Sequence, residues 1–148
     1  GRPKRASFLS AEKRLLQLLF ADSTIAARIF KEFKEEYVQG LRSEPIFLYL
    51  ARFFKKNEEP DFNRFKAEID PSLFGDLSAV LVEGGPDPSM EDAEGCLTAL
   101  KDHALLNRWN ELDRDIRRFE KQGDSARVAL LLRERQQITE ELSRHNLQ

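Results

Sequence analysis

Cys96, His103 and His145 are the side chains here best suited to binding a metal or relaying a proton, and their spacing serves neither task. The two histidines fall on different predicted helices, about 60 Å apart in contour, and neither has a cysteine or carboxylate at ligand spacing. Each reads as a surface or cap residue; a protonated His145 near a helix C-terminus would suit the dipole there. The acidic residues gather in runs such as EE and EDAE, the mark of solvated faces. A general acid and base need instead a carboxylate pair set in apolar sequence. There is no phosphate-cradling glycine loop and no nucleophile elbow, and Gly84 with Gly85 reads as a helix stop. The reading is therefore of a chain with no catalytic residues, no metal site and no cofactor, so a binding module outranks an enzyme.

Composition narrows the class. The 148 residues carry 24 Lys and Arg against 26 Asp and Glu, for a net charge of −2, while β-branched residues are sparse. That balance disfavours both disorder and indiscriminate phosphate binding, so direct contact with nucleic acid is not expected. Charge is nevertheless uneven, with a basic stretch over residues 1–56 and an acidic one over 57–95. A single cysteine rules out a disulfide framework and implies a reducing compartment. With no apolar run of membrane-spanning length and no secretion signal, the expectation is a cytoplasmic protein without membrane contact. The basic opening GRPKRAS lacks apolar periodicity, so residues 1–9 read as the end of a linker or an expression remnant.

Apolar periodicity predicts an all-α fold. Ser10 is a candidate cap for a first helix whose Leu15, Leu16, Leu18, Leu19 and Phe20 are too many for one stripe, which predicts burial on several sides. Asp22 or Ser23 can cap a second helix with Ile25, Ala26, Ile29, Phe30 and Phe33 inward. A third begins after Ser43, with Pro45 in its first turn and Ile46, Phe47, Leu50 and Phe54 on its core face. A short fourth segment runs from Phe62 to Ile69. A fifth, from Asp70 through Val82, has Pro71 as its first residue and the glycine pair as its stop. The eleven phenylalanines read as packed core rather than as a platform for bases.

The last third is the most informative region. From about residue 90 to 122, with Ser89 as cap, no proline intervenes, so a rod of roughly 50 Å is predicted. Its apolar stripe turns partway along. Leu97, Leu100 and Ala104 point one way, and Leu105, Trp109, Leu112, Ile116 and Phe119 share a direction to within about 40° of Leu105. The first half must pack on the helices before it, and the second half on a helix C-terminal to the rod. After the turn KQGDSA, a further helix places Val128, Leu131, Leu132, Ile138 and Leu142 on one face, predicting a helical hairpin. The architecture is thus a bundle of about five short helices over 10–104, a long connecting helix, and a hairpin over 105–148. Arg135 breaks the pattern by falling within the apolar face, and Leu130 by falling on the polar one; the plain account is a snorkelling arginine and an exposed leucine.

Two stretches carry a resemblance. SAEKRLLQLLFADSTIAARIFKEF resembles the start of the C-terminal domain of bacterial DnaG-type primase, and CLTALKDHALLNRWNELDRDIRRFEKQGDSARVALLLRERQQITEEL resembles its long helix, glycine-containing turn and terminal hairpin helix. Residues 37–87 match only in helix order. The resemblance implies a helicase-binding domain: a bundle and hairpin that dock on the N-terminal domain of a DnaB-type replicative helicase. In that family the zinc-binding and RNA-synthesising domains of the parent polymerase lie elsewhere in the chain. The contact would fall on the hairpin's outward residues Arg117, Arg118, Lys121, Arg127, Leu130, Arg133, Glu134, Gln137, Glu141 and Arg144, with Leu130 as the apolar anchor. On that reading the domain alone is a monomer. A relative of the helicase's own N-terminal domain would share the pattern but self-assemble, and a general helical adaptor would use the hairpin to dimerise.

Overall fold

The computed structural model describes residues 7–146, so the basic opening expected to act as a linker lies outside the described residues except for Ser7. The described residues are all-helical: α1 (Ser10–Ala21), α2 (Ser23–Glu32), α3 (Glu44–Phe54), α4 (Phe62–Glu68), α5 (Pro71–Glu83), α6 (Met90–Lys121) and α7 (Ser125–Asn146), with a 3-10 turn over Glu35–Val38. They form two compact units, divided between Leu100 and Lys101.

In the first unit α1 is the centre. Leu15, Leu16 and Leu18 are wholly buried and Leu19 nearly so, each contributing about 1.5–3 kcal/mol relative to exposure. Around it pack Ile29, Phe47, Phe65, Leu73 and Leu77, together with Ala93, Leu97 and Leu100 from the first turns of α6. Aromatic rings tie the second and third helices: Phe30 stacks on Phe54 at 5.1 Å and Phe33 on Phe47 at 5.7 Å between centroids. Phe30 meets the late residue of α3 and Phe33 the early one, so the two helices run antiparallel.

The boundaries follow capping chemistry. Asp22 accepts from the backbone of Thr24 and Ile25, Asp61 from Asn63 and Arg64, and Asp70 from Leu73. Ser89 accepts from Asp92 N at the head of α6. Ser10 does not cap α1 as its position suggested; it is the first helical residue. The preceding Leu9 N–H is taken instead by the Glu12 carboxylate. Helix α2 also stops at Glu32, sooner than the Phe33 stripe predicted, because Phe33 turns extended before the 3-10 segment.

Glu12 itself is wholly buried, and its carboxylate accepts from Ser43 N at 3.0 Å and Ser43 Oγ at 2.6 Å as well as from Leu9 N. A buried carboxylate is tolerated only when so many donors replace water. It staples the starts of α1 and α3 together, which explains why the Ser43 hydroxyl makes no cap bond of its own.

The glycine pair does two jobs. Gly84 takes a left-handed φ of 65° and stops α5. Gly85 lies so close to Arg14 that a β-carbon there would sit 2.6 Å from Nη1. That proximity lets the guanidinium donate to Pro86 O at 3.0 Å and to Asp92 at 2.7 Å, holding the connection between α5 and α6 down on α1.

Candidate functional site

The second unit, from Lys101 on, is a helical hairpin. Its turn is built from local rules: Gly123 adopts φ 72°, its N–H returns to Glu120 O, and Asp124 N returns to Phe119 O, closing α6. Asp124 then accepts from Arg127 N and opens α7.

Its core runs along the predicted stripe but is thin. Leu112, Ile116 and Ile138 are buried, whereas Leu105, Trp109, Phe119, Val128, Leu131 and Leu142 are half-buried. Leu132 departs from expectation, being 39% exposed. At 100° per residue it lies about 100° from Leu131, beyond the width that one partner helix covers.

What the apolar contact lacks is supplied by polar bonds along both edges. On one edge Arg108 grips Glu134 through two nitrogens, the closest at 3.0 Å, and Lys101 reaches Glu141 at 3.2 Å. Lys101 and Arg108 are one heptad apart, as are Glu134 and Glu141, so these pairs form a regular ladder. On the other edge Arg135 donates to Asp113 at 2.6 Å and lies over the Trp109 ring, while Trp109 Nε1 donates to Thr139 Oγ1 at 2.9 Å. Arg135 is therefore no free snorkel. Its stem fills the seam and its charge is answered across it.

The outward residues sort unevenly. Arg117, Arg118, Lys121, Arg127, Leu130, Arg133, Gln137 and Arg144 are exposed, with Leu130 at 64%. Arg117 pairs with Asp113, Arg118 with Asp115 and Arg127 with Asp124, and both Arg118 and Arg127 lie over the Phe119 ring. Glu134 and Glu141 are not outward-facing: each is half-buried and committed to the interhelical ladder, because antiparallel packing sets them opposite Arg108 and Lys101.

The histidines also need correction. Contour length separated them, but the hairpin folds that distance back, bringing His145 Nδ1 to 2.5 Å from Asp102 Oδ1, beside His103 in sequence. His103 contacts Asn107. No group of three or more metal-binding side chains occurs among the described residues. Cys96 belongs to the first unit; burial, then the neighbouring Asp92, pushes its thiol up to about 11, so it stays protonated at neutral pH.

Sequence reasoning also missed a cleft of about 730 Å³ in the first unit, walled by Phe20, Phe65, Phe74 and Leu77 and rimmed by Phe62 and Lys66. Phe62 is 52% exposed, so not every phenylalanine is core. Its neighbours in the chain, Asp61 and Asn63, were the available hint. No helix among the described residues is long and apolar enough to cross a membrane. Comparison of the chain with family models, curated proteins and solved structures returned no match.

Proposed function

We propose that this chain is a non-catalytic docking domain whose hairpin binds a bacterial replicative helicase and so recruits primase to the replication fork for primer synthesis. The resemblance of its first and last stretches to the primase C-terminal domain supplies the partner. The observation that carries the docking role is the hairpin itself, whose thin core, flanked by polar pairs, leaves Leu106, Leu130 and Leu132 in solvent. Exposed leucines on a small two-helix unit suit a partner surface better than they suit stability. Tethering would act by effective concentration: holding the catalytic parts beside emerging template lets weak individual contacts suffice.

The direct test is titration of the chain against the N-terminal domain of the cognate replicative helicase by surface plasmon resonance. Saturable binding at about micromolar concentration supports the reading, and none up to about 100 μM overturns it. Mass in solution tests the alternative, since the same exposed leucines would suit self-assembly. A 17.2 kDa monomer favours recruitment, whereas trimers or hexamers favour a relative of the helicase's own N-terminal domain.

A further inference from the structure

We infer that the cleft of the first unit is a second binding site, separate from the hairpin, and that it takes an apolar peptide of about four residues whose free carboxylate meets Lys66 and whose free ammonium meets Asp87.

The cleft holds about 730 Å³ between α1, α4, α5 and the connection that follows Gly84, within the roughly 300–1,000 Å³ of small-ligand sites. Its aromatic wall is continuous. Ring centroids of Phe20 and Phe62 lie 5.5 Å apart, those of Phe62 and Phe65 6.5 Å, and those of Phe65 and Phe74 6.2 Å. Leu77 and Leu81 extend the apolar lining along α5. Phe62, at the mouth, is 52% exposed, so an apolar occupant that covers it removes that ring from water.

The polar lining decides the chemistry, because most of it is already engaged. Arg14 is held by Asp92, Pro86 O and Gln17. Gln17 Nε2 donates to Val80 O at 3.0 Å, and Ser78 Oγ donates to Phe74 O at 2.9 Å. Two lining charges have no ion pair among the described residues: Asp87, and Lys66, whose ammonium lies 5.7 Å from the Phe74 centroid. The acids nearest Lys66 in the chain are occupied elsewhere. Glu68 pairs with Arg64 at 2.9 Å, Asp70 caps α5 by accepting from Leu73 N, and neither lines the cleft.

These two charges mark opposite ends. Lys66 lies over Phe74, near the start of α5, whereas Asp87 follows Gly84, its stop. Phe74 and Gly84 are about 15 Å apart along the helix at its usual rise. An extended chain covers about 3.3–3.6 Å per residue, so roughly four residues reach from one charge to the other with a terminus at each. The N–H groups of Gly85 and Asp87 have no acceptor among the described residues and can donate to carbonyls. That favours a peptide over an alkyl chain of the same length.

The test titrates the isotope-labelled full chain with the tetrapeptide Leu-Ala-Leu-Leu in three forms: both termini free, N-acetylated and C-amidated. With free termini, the amide resonances of Gly84, Gly85 and α4 should shift saturably, with a Kd between about 10 μM and 1 mM, while those of the hairpin stay in place. Acetylation and amidation should each weaken binding about 3-fold, the scale of one exposed ion pair. Lys66→Glu should weaken the free peptide about 10-fold and leave the amidated form unaffected; Asp87→Lys should do the same to the free and acetylated forms. Both side chains are exposed, so circular dichroism should match that of the unaltered chain. No shift up to about 5 mM, or shifts confined to the hairpin, would overturn the site. Equal affinity for all three peptides would overturn the assignment of Lys66 and Asp87 as its two ends.

Discussion

The two units hold their helices together by opposite means. In the first, buried leucines and stacked phenylalanines surround α1, and Glu12 is the charge sealed inside them. In the second, three buried aliphatic residues are flanked by ladders of ion pairs and hydrogen bonds, most of them half in solvent. The difference teaches where stability and recognition reside. Apolar burial stabilises regardless of salt, whereas exposed pairs contribute little each and are screened. The hairpin is therefore expected to be the less stable of the two units.

The sharpest way to break that comparison is to open a cavity in each unit. Phe47→Ala, at a wholly buried ring stacked on Phe33, should cost about 3–5 kcal/mol and unfold the bundle at a lower denaturant concentration. Leu112→Ala, equally buried, should cost about 2–3 kcal/mol and melt the hairpin alone. Urea titration followed by hydrogen exchange separates the two. Should Leu112→Ala lower protection equally in α1 and α7, the units are one cooperative body and the contrast fails.

The paired edge gives a smaller effect with a clearer signature. Glu134→Gln removes the interhelical partner of Arg108, which keeps its pair with Glu111, and should cost about 0.5–1 kcal/mol at low salt, shrinking toward zero at about 1 M salt. Glu12→Gln in the first unit should cost more, about 2 kcal/mol, with no such salt dependence, because its donors are buried with it. Equal salt sensitivity at both sites would erase the distinction between the units.

The same contrast governs how much was legible from residue order. Elements governed by local rules could be read: Pro71 after Asp70, Gly123 before Asp124, and the turning stripe of α6, whose first half joins the bundle core and whose second half faces α7. Contacts set by tertiary register could not. Glu12 looks like any surface glutamate until Ser43 is brought against it, and the distance between His145 and Asp102 along the chain hides their meeting across the hairpin. Glu134 and Glu141 read as outward charges because a helical wheel shows direction but not which partner waits at the edge. Leu132 fell inside the stripe by spacing and outside it by geometry, since one facing helix covers only a narrow arc.

Cys96 offers the finest test, because it lies in the first unit and should follow the bundle's burial alone. Its thiol is held above the ordinary value of 9.0, up to about 11, first by burial and then by Asp92. Between those values the unfolded chain has released a proton that the folded chain keeps. The stability from the neutral buried thiol is thus full below about pH 9 and is lost as pH rises toward 11. Cys96→Ala should flatten this alkaline decline of the bundle and leave the hairpin's pH profile as it was. Alkylation by iodoacetamide at about pH 8 should be slow in the folded chain and fast in urea, because only the thiolate reacts. Rapid labelling of the native chain would mean that the thiol is more open than its packing beside Asp92 implies, and that the α1–α6 contact yields as readily as the hairpin.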